Sequence, residues 1–179
     1  MRVVSGTIRG LKLKFPKEVL VRPTTEKVKE AIFDSLQFRI EGKSFLDLFA
    51  GCGQMGIEAL SRGAREVCLV DSYRDSVCAI RYNLSKLDEN LSKKVSIVNK
   101  DVFYFLKTNP GHFDIVFMDP PYREGTIPEV LEELSDCVSY DGIVICEHEK
   151  SEVLPEKVKN LSVFKNKNYG KISVTYYAK

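Results

Sequence analysis

Four aspartates fall at or near the ends of apolar runs, each in surroundings that bear on chemistry. Asp47 lies within Phe45-Leu46-Asp47-Leu48-Phe49-Ala50, just ahead of Gly51-Cys52-Gly53-Gln54-Met55-Gly56. A buried strand running into a Gly-x-Gly-x-x-Gly turn and then a helix lets backbone N–H groups approach a ligand. Glycine has no Cβ, and the first helical turn has unpaired donors. Asp71 follows Gly51 by 20 residues, at the end of the next apolar run. A carboxylate at that spacing accepts two hydrogen bonds from a ribose diol. The pattern predicts an adenosine-type cofactor rather than a bare strand–helix turn.

The glycines alone suit a nicotinamide dinucleotide as well as S-adenosylmethionine (SAM). SAM uses the same crevice and ribose contact, but it carries an ammonium and a sulfonium in place of a pyrophosphate. Asp47 suits a cationic methionine tail and would repel a pyrophosphate. Asp101, in Asn99-Lys100-Asp101-Val102-Phe103, either caps the next helix or accepts from an adenine amino group.

The fourth aspartate opens Asp119-Pro120-Pro121-Tyr122, directly after the apolar run Phe113-Asp114-Ile115-Val116-Phe117-Met118. Two prolines stiffen the turn and remove its N–H donors. The Asp119 carboxylate and the Pro120 carbonyl are then set to accept from a planar –NH2 group. Tyr122 offers a face on which a base can stack.

These residues need elements to hold them. Short apolar runs at 44–49, 66–70, 95–98, 113–118 and 142–146 read as buried strands. Helices are expected at 54–61, about 75–87, just after Asp101, and about 127–137. Segments 161–166 and 171–177 flank Asn168-Tyr169-Gly170, a hairpin signal. The alternation predicts an α/β, Rossmann-like, doubly wound and mostly parallel sheet with an antiparallel C-terminal hairpin. Ligands of such sheets sit at the carboxyl ends of the strands, where the four aspartates cluster. Ahead of the sheet, residues 2–15 alternate around glycines and read as a basic β-hairpin. A helix over 25–38 follows, with Thr24 as its N-cap and Val28, Ala31, Ile32 and Leu36 on one face. The expected division is a basic extension over 1–43 and a catalytic domain over 44–179.

Composition limits the alternatives. With 179 residues, 44% hydrophobic and 29% charged, the chain reads as one ordinary globular protein. No apolar run nears the ~20 residues that span a bilayer, and the start shows no signal-peptide pattern, which predicts a cytoplasmic protein with no membrane role. Five widely spaced cysteines without C-x-x-C, and two histidines far from any Cys pair, predict neither disulfides nor a metal site. The net charge of +2 hides an asymmetry: residues 1–29 carry +6, residues 30–149 carry −9 and residues 150–179 carry +5. A basic end is either a solvated surface or the footprint of a nucleic-acid site.

Leu46-Asp47-Leu48-Phe49-Ala50-Gly51-Cys52-Gly53 with Asp119-Pro120-Pro121-Tyr122 resembles the class I SAM-dependent methyltransferases acting on exocyclic amino groups. Arg2-Val3-Val4-Ser5-Gly6-x-x-Arg9-Gly10-x-Lys12-Leu13, Arg22-Pro23-Thr24-Thr25-x-x-Val28-Lys29-Glu30-x-Ile32-Phe33 and the Ala-Leu-Ser-Arg-Gly-Ala segment at 59–64 narrow this to a resemblance to the RsmD family. Those are bacterial methyltransferases of guanine N2 in small-subunit (16S) ribosomal RNA. Cys52-Gly53-Gln54-Met55 departs from the family pattern but keeps the glycines.

The resemblance implies SAM as cofactor, S-adenosylhomocysteine as product and no metal. It implies Asp47, Phe49, Gly51, Gly53, Asp71, Asp101 and Val102 as cofactor-binding residues, and Asp119, Pro120 and Tyr122 as the catalytic group. Tyr122 would hold a flipped-out guanine, while Asp119 and the Pro120 carbonyl orient its amine. Arg2, Arg9, Lys12, Lys14, Arg22 and Thr24 would meet the RNA. The expected partner is 16S rRNA within the small subunit or an assembly intermediate, met by a monomer. A DNA adenine-N6 or cytosine-N4 methyltransferase shares the Asp-Pro-Pro-Tyr chemistry but normally carries an added target-recognition segment. A nicotinamide dehydrogenase would need a substrate domain. A non-catalytic RNA-binding module would not need acids at successive strand ends.

Overall fold

A computed structural model describes residues 1–16, 25–108, 111–121 and 125–179. Five strands, β1 (Ser44–Asp47), β2 (Glu66–Val70), β3 (Val95–Val98), β4 (Phe113–Met118) and β5 (Val138–Glu149), run parallel. Three more, β6 (Lys157–Val158), β7 (Leu161–Tyr169) and β8 (Ile172–Ala178), complete the sheet in the order β3-β2-β1-β4-β5-β8-β7-β6. The order reverses between β1 and β4, and the crevice at such a switch point is where these sheets bind ligands.

Period-2 alternation sorts the core into two faces. Phe45, Val67, Leu69, Ile115, Phe117, Ile143 and Ile145 pack on one side. There they meet α1 (Glu26–Leu36), α2 (Gln54–Ser61) and α3 (Arg74–Leu84). Leu46, Cys68, Val70, Val116, Met118, Val144 and Cys146 pack on the other side with α5 (Val102–Thr108) and α6 (Thr126–Leu134). A one-turn helix, α4 (Glu89–Ser92), lies between α3 and β3. Because β1, β2, β4 and β5 are covered on both sides over most of their length, they read as apolar runs, while β3, at the sheet's edge, is only half-buried.

Three expectations change. β5 extends beyond 142–146 because β8 pairs antiparallel along it from Ile143 to Glu149, drawing Glu147 and His148 into the ladder. The C-terminal hairpin forms, but β8 inserts beside β5, so β7 and the short β6 make the outer rim. The N-terminal hairpin reduces to one antiparallel bridge, Arg2 with Lys12. Gly6 and Gly10 take left-handed φ in the intervening turn, and Val3 N–H to Leu11 O (3.0 Å) and Leu13 N–H to Met1 O (3.1 Å) close its base. Val3 and Leu13 are nonetheless buried in the α1–α3 side of the core.

Helix α1 is shorter than its apolar pattern. Thr25 caps it, its hydroxyl oxygen accepting from Val28 N–H at 3.3 Å, and it ends before Phe38, which is 92% exposed. The expected cap, Thr24, lies outside the described residues. Among the described residues, no helix is long and apolar enough to cross a membrane.

Candidate active site

The three glycines after β1 are glycine for three different reasons. Gly51 has φ 55° and open space where a side chain would stand. Gly53 has φ 79°, and a Cβ there would sit 3.2 Å from Leu69 and 3.3 Å from Ile80. Gly56 lies within α2, where a Cβ would collide with Leu69 and come 2.7 Å from Val67 Cγ1. Only Gly51 opens its backbone to a ligand. The other two let the turn and α2 lie close on β2 and α3.

Asp71 stands at the end of β2 and is tied to that turn. Its Oδ2 accepts from Gly51 N–H and its Oδ1 from Tyr73 N–H, both at 2.8 Å. Burial pushes its carboxyl up, and those two bonds with the Ser76 hydroxyl pull it partly back. Each carboxylate oxygen has a second lone pair, so an acceptor held this way can still meet a diol. Asp47 is fully enclosed. Burial first, and then the charge of Asp71, push it up to about 8, against bonds from the Phe49 and Gly56 N–H groups. Its Oδ1 has no hydrogen-bond partner among the described residues. A buried acceptor without a partner costs desolvation energy, and a cationic group arriving at the turn offsets that cost.

A cleft of about 270 Å³ opens at the carboxyl ends of β1, β2 and β4. Six expected site residues line it: Phe49, Gly51, Asp71, Asp101, Val102 and Asp119. Asp101 does two jobs, since its Oδ1 also caps α5 by accepting from Phe103 N–H (2.9 Å) and Tyr104 N–H (3.2 Å). Asp47, Gly53 and Pro120 stand behind the wall as its support, all buried. Pro121 rather than Pro120 faces the cleft, beside Asp119. Tyr122 lies outside the described residues. Ser76, Lys100 and Thr126 also line the cleft; no motif marks them, and only their closeness to Asp71, Asp101 and the Asp119 turn could have. The open backbone at Gly51, the acid at the end of β2 and the orphaned Asp47 oxygen fit an adenosine cofactor with a cationic tail.

The basic segment packs on the α1–α3 side of the core, tied to α2, α3 and the glycine turn. Arg2, Arg9, Lys12 and Lys14 are exposed, while Arg22 and Thr24 lie outside the described residues. Three buried polar residues that sequence reading missed fix this segment. Glu58 of α2 accepts from Val4 N–H (2.9 Å), Ser5 N–H (3.0 Å) and Arg62 Nε (2.9 Å), and pairs with Lys29 Nζ at 3.3 Å. Lys29, also fully buried, donates to the Arg2 carbonyl at 2.7 Å. Asn83 of α3 bonds both the N–H (2.8 Å) and the carbonyl (2.9 Å) of Lys14. Its amide also donates to the Cys52 carbonyl in the glycine turn at 3.0 Å.

Comparison with known proteins matches the chain over residues 1–178 to the family described as Conserved hypothetical protein 95, the RsmD family. YlbH of Bacillus subtilis, whose name marks a provisionally assigned rRNA methyltransferase, is 36% identical over 100% of this chain and 99% of its own. Ribosomal RNA small subunit methyltransferase D of Escherichia coli is 32% identical over 99% of this chain and 89% of its own. The solved structure of Escherichia coli yhhF, named as a candidate methyltransferase, superposes with a TM-score of 0.89 at 31% identity. It covers 100% of this chain and 97% of that one.

Proposed function

The chain belongs to the RsmD family of SAM-dependent methyltransferases, and from that premise we propose that it methylates the exocyclic N2 of a guanine in small-subunit (16S) rRNA. The observation that carries this reading is one cleft lined at once by Gly51, Asp71 and Asp119. Cofactor-type and amine-type acceptors thus face the same space. SAM, when bound, supplies an electrophilic methyl group on a sulfonium.

The chain's own residues do the rest. Gly51 admits the cofactor backbone-close, and Asp71 accepts from its ribose. Asp47, its carboxyl pushed up to about 8, gives up its proton beneath the turn as the cationic tail arrives and so pairs with it. Asp119 orients the guanine amine and stabilises the positive charge that grows on it. Removal of the amine proton is assigned to no residue beyond Asp119 as the nearest acceptor in this scheme. Tyr122 stacks the flipped base, and Arg2, Arg9, Lys12, Lys14, Arg22 and Thr24 hold RNA phosphates. Small-subunit rRNA, within the subunit or an assembly intermediate, is the partner this reading requires.

The test is incubation with methyl-labelled SAM and, separately, protein-free 16S rRNA, assembled small subunits and DNA. Label recovered as N2-methylguanine from either ribosomal substrate supports the proposal. Label in DNA, or on an adenine or cytosine, overturns it.

A further inference from the structure

Tyr82, on the outer face of α3, is 48% exposed. Two ammonium groups converge on its ring, Lys14 Nζ and Lys86 Nζ, each 4.6 Å from the centroid. Like charges repel, so two lysines gathered on one aromatic ring make a place where an anion is favoured. Neither is loose. Lys86 Nζ donates to the Lys12 carbonyl at 2.8 Å, and the Lys14 backbone is clamped on both sides by Asn83.

Beside the ring lies a cavity of about 220 Å³ lined by Phe15, Pro16, Asp75, Ala79 and Tyr82 together with Lys14. Its chemistry is mixed in a particular way: the Lys14 cation, apolar and aromatic walls, the Cys78 thiol and one carboxylate, with the Lys86 ammonium next to it on the Tyr82 ring. A phosphate would be held at the lysines and repelled from Asp75, while a planar base would lie on the apolar wall and donate an amino proton to Asp75. The same helix serves both cavities, since α3 gives Ser76 to the cofactor cleft and Asp75, Ala79 and Tyr82 to this one. Asn83, the neighbour of Tyr82, ties Lys14 to the Cys52 carbonyl of the glycine turn.

We propose that this face of α3 is a second nucleotide subsite, in which Lys14 and Lys86 hold an RNA phosphate and Tyr82 stacks an unpaired base. The inference rests on the rRNA reading above and adds to it Tyr82, Lys86 and Asp75, which no motif marks. The bound strand is single-stranded there, because a base can stack on a side chain only after leaving its own stack. The subsite takes a nucleotide flanking the target and adds to the affinity for the strand that carries it.

The experiment uses the full chain and its Tyr82→Ala, Tyr82→Phe, Lys86→Ala and Lys86→Arg variants. Binding of a labelled 16S rRNA fragment is measured at several salt concentrations, alongside SAM affinity and the KM and kcat of methyl transfer. Tyr82→Ala should weaken RNA binding roughly 5- to 100-fold, the range for losing one base–aromatic stack, and Tyr82→Phe should restore it. Lys86→Ala should flatten the log K against log salt slope by about 0.7, and Lys86→Arg should restore it. In all four, SAM affinity and kcat at saturating RNA should match wild type, with the change confined to KM for RNA.

RNA affinity and salt slope unchanged in both alanine variants, with wild type active on rRNA, would overturn the subsite and leave the methylation reading intact. Losses seen only on assembled subunits and absent on protein-free rRNA would overturn it in favour of a ribosomal-protein contact. Saturation by adenosine monophosphate alone at micromolar concentration would overturn it in favour of a free nucleotide. Binding that depends on Tyr82 and Lys86 in a protein that transfers no methyl to rRNA would keep the subsite and sink the enzymatic reading.

Discussion

Asp47 and Asp71 share the underside of one turn, and their titration separates structural from binding roles. Burial and the Asp71 charge raise Asp47 from 3.8 to about 8. An acid whose folded pKa exceeds its unfolded one binds more protons when folded, so stability falls as pH rises between the two values. The penalty is absent below about pH 4 and complete above about pH 8. Without SAM, wild-type unfolding free energy from urea titration should therefore fall from pH 5 to pH 9, by up to ~1.4 kcal/mol per unit of pH. Asp47→Asn should flatten that fall; a residual slope remains because Asp71 is raised for the same reason. Equal slopes in the two proteins would mean that Asp47 is ionised throughout.

Asp71 and Asp119 line the same cleft, yet their substitutions should differ in kind. Asp71→Ala should raise the Kd for SAM roughly 10- to 150-fold by calorimetry, since charge-assisted hydrogen bonds contribute ~1.5–3 kcal/mol. Part of that loss is the freed Gly51 N–H, now unpaired at the turn. Asp119→Ala should leave SAM binding in place and slow methyl transfer by roughly 10²–10³, the scale for losing one positioned stabilising group. A collapse of SAM affinity in Asp119→Ala would put that residue in the cofactor site instead.

At the scale of elements, the sheet was legible because burial on both faces leaves a plain signal. The runs at 66–70, 95–98 and 113–118 match β2, β3 and β4 residue for residue, as 54–61 matches α2. Of the proposed site, the cleft-lining Gly51, Asp71, Asp101 and Asp119 were legible, because those acids sit at strand ends and Gly51 follows β1; Asp47, Gly53 and Pro120 do not line the cleft, and Tyr122 lies outside the described residues. What escaped notice were polar residues inside apolar patterns. Glu58, Asn83 and Lys29 lie in α2, α3 and α1, and no motif marks them for burial. They are buried because residues 1–16 fold back over those helices and bring backbone N–H and C=O groups that need partners, and no local pattern announces a return of chain across 27 to 69 residues. Glu58→Ala should cost about 3–5 kcal/mol in urea unfolding, because it leaves a buried ammonium and two backbone N–H groups without their acceptor. Lys29→Met should cost less, since Glu58 keeps Arg62 and both N–H groups. The reverse order would show that the ammonium, not the carboxylate, holds the segment.

For the molecule as a whole, the basic segment is both part of the core and the proposed grip on RNA, and these roles must be tested apart. Removing residues 1–15 takes Val3 and Leu13 out of the α1–α3 core and strips partners from Glu58, Lys29 and Asn83. Such a truncation should destabilise the fold and loosen the glycine turn through Cys52, so lost activity in it would say nothing about RNA. The side chains of Arg9, Lys12 and Lys14 are exposed, and their supports to the core are made by backbone atoms that alanine retains. Arg9, Lys12 and Lys14 changed together to Ala should therefore keep the thermal midpoint and SAM affinity of wild type. If each cation meets one phosphate of a single strand, the log K against log salt slope for rRNA binding should flatten by about 2, at ~0.7 per contact. An unchanged slope in this stably folded triple variant would mean that the +6 charge of residues 1–29 only solvates the surface. The RNA grip would then have to be sought on another face.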